Sequence, residues 1–329
     1  MDELLAGLKA VAETTRLRIL FALSHGEMNV TELTQLLGQS QPRVSRHLKL
    51  MADAGLISRH KEGNWVLFRQ REEGMGGALS RALVDMLPAH DKQLAEDLKR
   101  LADIRNQRQE QATAYFAANA TQWQQLRSLH VREDEVEAQL LALLKGRKFE
   151  TVLDLGTGTG RILELLAPQA RQLWGLDQSR DMLAIARANL DQHKIKHAQV
   201  RQADIYALPF SDATADLVSI HQVLHFLDDP QSALLEARRV LKQGGEIIIV
   251  DFAPHEHEDL RSAHAHRRLG ISAEQMAGYF ARSGLVLREH KVLPPPWLKT
   301  GPGLTVSLWL GELPARQATQ HIHARTAAK

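Results

Sequence analysis

Cysteine is absent from the 329 residues, which excludes disulfides, thiolate metal centres and covalent cysteine chemistry. Long apolar runs are absent too. The longest, around Ile247–Val250, is far too short to cross a bilayer. The opening Met1-Asp-Glu-Leu-Leu has neither the basic start nor the apolar middle of a secretory signal, so a cytoplasmic chain with no membrane partner is expected. Net charge is small, 41 Lys and Arg against 39 Asp and Glu, and says little about partners. Its distribution says more. Between Gln41 and Arg71 stand Arg43, Arg46, Lys49, Arg59, Lys61, Arg69 and Arg71 against only Asp53 and Glu62, an excess of five positive charges suited to phosphate.

What is present divides the chain into zones. A length of 329 residues, with 44% hydrophobic and 24% charged, suits two soluble domains with a helical spacer. The expected boundaries are 1–72, a helical linker or dimerisation segment at 73–120, a second domain at 121–311, and a mobile tail at 312–329. Leu94, Leu98 and Leu101 in the spacer suit either a short coiled-coil seam or a helix packed on its own domain. No internal repeat is visible.

In the first zone, helices are predicted over Leu4–Ala12, Thr15–Ser24 and Val30–Leu37. Asn29 and Glu32 have capping-box spacing, and Gly38 closes the third helix. Ser40 is placed to cap the next helix, with Pro42 tolerated in its first turn. On that helix Val44, Leu48 and Met51 form a buried stripe, while Gln41, Arg43, Ser45, Arg46 and Lys49 remain for another surface. A polar basic face is often only solvated. Here, however, the runs Leu56–His60 and Trp65–Gln70 follow, flanking the turn Glu62-Gly63-Asn64. A helix fits the major groove of double-stranded DNA, and such a wing could lay Arg59, Lys61 and Arg69 along phosphates.

Thr15–Leu20, Ser40–Lys49 and Ala54–Ile57 resemble the arsenic-repressor (ArsR) family of winged-helix regulators, over residues 4 to 70. The resemblance implies a homodimer on an inverted-repeat operator. Metal-sensing members carry cysteines where this chain has Asn29 and Thr31, so thiolate metal sensing is excluded.

From Thr151 onward, strand-like runs alternate with amphipathic helices, the pattern of a mostly parallel sheet covered on both faces. Thr151–Gly160 reads as a strand, a Gly-x-Gly-x-Gly loop (Gly156, Gly158, Gly160) and a helix start suited to an anion. The dinucleotide pattern places its third glycine one residue later. Asp154 suits a ligand bearing an ammonium group. Asp177 ends a strand at Gln172–Leu176, where a carboxylate can hold two ribose hydroxyls. Asp204 ends another at Ala198–Ala203, placed for an adenine amino group with Ile205 and Leu208 against the ring. Taken singly, each carboxylate is as readily a helix cap or a solvated strand end. In register with the glycine loop, they favour an adenosyl site.

Val152–Gly160, Gly175–Leu183, Ala203–Ile205, Leu208–Phe210 and Arg239–Gly245 resemble class I S-adenosylmethionine (SAM) dependent methyltransferases, most nearly the branch with ubiquinone- and menaquinone-biosynthesis enzymes. The resemblance implies a Rossmann-like seven-stranded sheet whose last strand is antiparallel. Gly156, Gly158 and Gly160 would cradle the methionine end of SAM, Asp177 would take the ribose and Asp204 the adenine. Gln178, Ile205 and His221 complete the expected cofactor set with Asp154. Candidate bases are His221, His225 and Asp251. His255, His257, His264 and His266 form no one-face metal pattern, and no metal is expected; a pocket cover with Arg261, His264 and Arg268 one turn apart fits better.

No Asn/Asp-Pro-Pro-aromatic motif follows the fourth strand, and without cysteine the covalent route to 5-methylcytosine and the thiol route to methylated arsenite are both closed. Two functions of different class follow. One is an ArsR-type regulator whose methyltransferase-like domain binds SAM or S-adenosylhomocysteine (SAH) as effector. The other is an active small-molecule methyltransferase with an attached autoregulatory DNA-binding domain.

Overall fold

The computed structural model describes residues 1–62, 65–71, 74–119, 132–295, 297–298 and 301–315. Its N-terminal unit runs α1 (Asp2–Val11), α2 (Thr14–Ser24), β1 (Met28–Asn29), α3 (Val30–Leu37), α4 (Gln41–Asp53), β2 (Ile57–Glu62) and β3 (Trp65–Gln70). The capping box is formed: Glu32 N donates to Asn29 Oδ1 at 3.0 Å and Asn29 N to Glu32 Oε2 at 2.9 Å. Gly38 is left-handed at φ 65°, which spares the chain the Cβ clash another residue would meet there. Ser40 occupies the N-cap of α4, but its side chain makes no capping bond. Val44, Leu48 and Met51 are buried, so the stripe lies on the core side. The wing gains a strand that periodicity did not reveal, because two-residue β1 pairs antiparallel with β3. The turn residues Gly63 and Asn64 lie outside the described residues.

The spacer is two helices, α5 (Gly74–Asp85) and α6 (Lys92–Asn119), and its first part belongs to the N-terminal core. Leu101 and Ile104 sit in the same apolar cluster as Ile19, Leu33 and Leu48. Leu94 is also buried, whereas Leu98 is exposed, so two of the three leucines serve packing within the chain. Arg18 clamps Asp97 with two bonds, at 2.6 and 2.7 Å, and Arg100 Nη1 donates to Leu36 O at 3.0 Å. Asp97 is 1% exposed, and removing its carboxylate would strand the Arg18 guanidinium. Because Arg18 keeps some solvent contact, Asp97→Ala is expected to cost about 2–3 kcal/mol, read from urea unfolding.

The C-terminal unit contains α7 (Glu133–Leu143), β4 (Phe149–Leu155), α8 (Arg161–Leu166), β5 (Ala170–Asp177), α9 (Arg180–Gln192), β6 (Ala198–Gln202), β7 (Ala215–His221), α10 (Pro230–Val240) and β8 (Leu241–Phe252). It continues through α11 (Asp259–His264), α12 (Ala273–Arg282), β9 (Val286–Leu293), a small hairpin of β10 (Trp297–Leu298) and β11 (Gly301–Pro302), and β12 (Val306–Glu312). Seven strands form one sheet in the order β6-β5-β4-β7-β8-β12-β9. Strands β4 to β8 pair in parallel, while β12, the last, is antiparallel to β8 and β9, as expected.

Central strands are apolar on both sides because both sheet faces are covered. Val152 faces one apolar cluster with Leu163, Leu183 and Leu190, and Leu153 the other with Leu234, Met276 and Phe280. Strand β4 pairs with β5 on one side and β7 on the other, so the chain reverses direction across the sheet there. A crevice opens at such a point, beyond the strands' carboxyl ends. Among the described residues, no helix is long and apolar enough to cross a membrane. The expected tail lies mostly in residues 316–329, outside the described residues.

Candidate functional site

Strand β4 runs straight into the glycine loop, whose amides are tied to the neighbouring strand. Gly156 N and Thr157 N donate to Leu176 O at 2.7 and 3.0 Å. Gly156 has φ 73°, and a Cβ there would lie 2.4 Å from Val223 Cγ2. Both conditions require glycine. Asp177, at the tip of β5, accepts from Gly158 N at 2.9 Å and Ser179 N at 2.8 Å. Burial raises the Asp177 carboxyl above the usual carboxylate range, opposed by those backbone N–H groups. At the base, Asp154 is 1% exposed and accepts from Ser219 Oγ at 2.5 Å.

These elements enclose a cavity of about 300 Å³. Of the expected cofactor residues, Asp154, Gly156, Gly158, Asp177, Gln178, Ile205 and His221 line it. Gly160 and Asp204 do not. Gly160, at φ 86°, caps α8 and packs close to Ala186, where a Cβ would sit 3.2 Å from Ala186 Cβ. Strand β6 stops at Gln202 and the chain folds into a tight turn, leaving Asp204 exposed. Its Oδ1 accepts from Gln178 Nε2 at 3.2 Å and Tyr206 N at 3.0 Å.

The candidate bases separate as well. His221 faces the crevice, but His225 and Asp251 form a dyad behind its wall. Nδ1 of His225 lies 2.7 Å from Asp251 Oδ1, with the side chains 2% and 0% exposed. The expected cover is also revised. Helix α11 ends at His264, so Arg261 lines the crevice while Arg268 points away to Glu27. Among the described residues, no three His, Asp or Glu side chains converge as metal ligands.

His255 is held neutral. Burial, and behind it the nearby His257, His225 and Arg261, push its pKa down to about 4 from 6.5, against the pull of Asp251. The unfolded chain therefore binds more protons than the folded one between these values, so stability rises with pH across that window. Thermal melts should show the melting temperature falling as pH drops from 6.5 towards 4, with a shallower fall in His255→Asn.

Sequence reasoning missed Phe116, Phe226, Ala265, His266 and Arg267 in the crevice wall. Phe116 stands in a charged helical run with no local signal of burial. Its ring meets Phe226 edge-on at 4.9 Å. Residues 265–267 lie in an irregular loop, beyond the reach of periodicity.

On the N-terminal unit, Gln41, Arg43, Ser45, Arg46 and Lys49 are exposed together on α4, and Arg59 is exposed on β2. The Lys61 side chain lies outside the described residues. Arg69 is half-exposed and engaged within the protein: Nε donates to Ser58 Oγ at 3.2 Å, and Nη1 stands 3.8 Å from Glu27.

Comparison with known proteins matches this division. Residues 13–59 match the family of bacterial regulatory proteins of the arsR family, and residues 153–249 match a methyltransferase domain. A demethylmenaquinone methyltransferase of Thermotoga maritima is 36% identical over 107 residues, 32% of this chain and 44% of that protein. A malonyl-[acyl-carrier protein] O-methyltransferase of Enterobacter lignolyticus is 33% identical over 168 residues, 49% of this chain and 64% of that one. The chain spans about two fifths of the length of the first curated relatives it matches. A chain from the complex between the Haloferax volcanii Trm112 methyltransferase activator and a protein described as a methyltransferase superposes with TM-score 0.51 at 24% identity, over 60% of this chain and 97% of that one, a likeness of fold. The chain thus carries an arsR-family helix-turn-helix domain and a methyltransferase domain of Rossmann-like fold.

Proposed function

We propose that this chain is a DNA-binding transcriptional regulator whose methyltransferase domain holds SAM or SAH as an effector. The observation that carries this reading is the split between the two sets of expected site residues. Seven of the nine ligand-holding residues line the crevice, whereas of the three candidate bases only His221 does, the His225–Asp251 dyad being sealed behind it. Effector binding needs only the first set. A base for catalysis must reach its substrate.

The residues fit an adenosyl amino acid. A cavity of about 300 Å³ is of ligand size. Gly156 and Gly158 would receive the amino-acid end, with Asp154 offering charge to its ammonium group. Asp177 and Gln178 would hold the ribose, since a carboxylate accepting one bond per oxygen retains further acceptor capacity. Ile205 and Leu208 would flank the adenine. On the DNA side, α4 would enter the major groove, with Arg43, Arg46 and Lys49 on bases and phosphates and Arg59 in the wing on the backbone. The bound form is a homodimer on an inverted repeat. Calorimetric titration of the full chain with SAM and with SAH tests the ligand half. One saturable site is expected, and no heat with either compound would remove the reading.

A second reading keeps catalysis. His221 and His266 do face the crevice, and bound SAM supplies a methyl group on a sulfonium. Alignment and exclusion of water can then suffice for a reactive acceptor. Transfer of labelled methyl from SAM to a metabolite in an extract, lost in His221→Ala, would favour it.

A further inference from the structure

The wall of the crevice is continuous with contacts to the DNA-binding unit. Val223, Phe226, Leu227 and Asp228 line the cavity on one strip of chain, and Ala265, His266 and Arg267 line it on another. The two strips are bonded together. Arg267 N and Arg268 N both donate to His225 O, at 2.9 and 3.0 Å, and His225 is itself anchored on Asp251. Arg267 Nε lies 2.7 Å from Asp228 Oδ1, and Arg268 Nη2 donates to Asp228 O at 3.1 Å.

The same two arginines reach across to the other domain. Arg268 Nη1 donates to Glu27 Oε2 at 2.7 Å, and Arg267 Nη1 lies 4.0 Å from Glu32 Oε1. Glu32 closes the capping box of α3, and Glu27 also faces Arg69 on the wing strand β3. These carboxylates therefore sit where helix α3 and the wing are set. Backbone conformation adds a second observation. Among the described residues, four other than glycine have positive φ, and two of them, Gln222 (55°) and Ala265 (56°), line the crevice. Such conformations store strain and persist where the surroundings enforce them, commonly at switch segments.

We infer that the Ala265–Leu269 loop is a coupling strap: a ligand filling the crevice moves it, and the Arg268–Glu27 and Arg267–Glu32 contacts pass that movement to α3 and the wing. The strap presupposes only that SAM or SAH occupies the crevice, and names the route by which such a ligand would act as effector. One loop touches both the crevice and the residues that set α3 and the wing, so a ligand and the DNA-binding unit would act on the same element, as coupling requires.

Hydrogen–deuterium exchange of the full chain, with and without saturating SAH, tests it. In the unaltered protein SAH should slow exchange both at 265–269 and at 27–33. In Glu27→Gln and in Arg268→Met, one from each side of the contact, slowing should persist at 265–267 and fall to less than half at 27–33, the Arg267–Glu32 contact being left in place. SAH affinity by calorimetry should stay within about threefold in Glu27→Gln, whose side chain does not line the crevice and which leaves the Arg268 bond to Asp228 O intact. Wild-type slowing confined to the crevice, no slowing in either segment, or full slowing at 27–33 in both folded variants would each overturn the strap. A parallel titration of an operator duplex, selected in vitro with the full chain, separates this from the effector reading. Protected 27–33 with unchanged operator affinity would sink the effector role while leaving the strap standing. Where both hold, each variant should shrink an SAH-induced affinity change of about tenfold to about twofold or less.

Discussion

Asp177→Ala should weaken SAM and SAH binding by about 100-fold or more, leave ligand-free operator binding unchanged, and remove every ligand effect on DNA. Hydrogen bonds to a charged acceptor contribute about 1.5–3 kcal/mol each, and the ribose would make two. Each 1.4 kcal/mol is about tenfold, so two lost bonds reach the stated range. The carboxylate also holds Gly158 N and Ser179 N, so its loss loosens the glycine loop and adds to the effect. None of these bonds involves a residue of α4. Calorimetry and an operator titration on the same preparation would read both halves. Retained wild-type ligand affinity would show that the ribose is held elsewhere.

The second large effect lies on the recognition helix. Arg46→Ala should lower operator affinity by about 10²–10³-fold. A bidentate arginine on a base discriminates by about 1–3 kcal/mol, and a homodimer loses the contact in both half-sites. Lys49→Ala should act differently, weakening all sequences alike and reducing the salt slope by about one per half-site. Competition titrations across a salt series distinguish them. If Arg46→Ala binds the selected duplex as tightly as the parent does, α4 is not the reading element.

Much of this was legible because local chemistry dictates it. Asn29 and Glu32 can satisfy each other only at a helix start, and they do so. Gly156 is required both by its dihedral and by contact with Val223, so its loop is marked in any sequence that folds this way. Val44, Leu48 and Met51 repeat at helical spacing because one face must be buried, which leaves the basic residues on the other.

What spacing left open depends on where the chain turns after an element ends. Asp204 stands two residues beyond β6, and the bend at 203–207 carries it out of the crevice. His225 follows strand β7 and Asp251 lies near the end of β8, yet a short helical turn at Leu224–Phe226 buries them against each other. Phe116 reaches the crevice only because α6 continues for 28 residues from the N-terminal core. No spacing rule contains that length. Arg268 looks like a neighbour of Arg261 on one helix, but Ala265 turns left-handed between them and sends it to Glu27.

A single titration addresses the centre of the account. Operator affinity of the full chain would be measured at one stated salt concentration, ligand-free and then with SAM or SAH at an occupancy fixed by calorimetry. Binding should tighten or weaken by about fivefold or more with at least one of the two. Three superimposable curves at full occupancy would mean that the crevice does not speak to the DNA-binding domain.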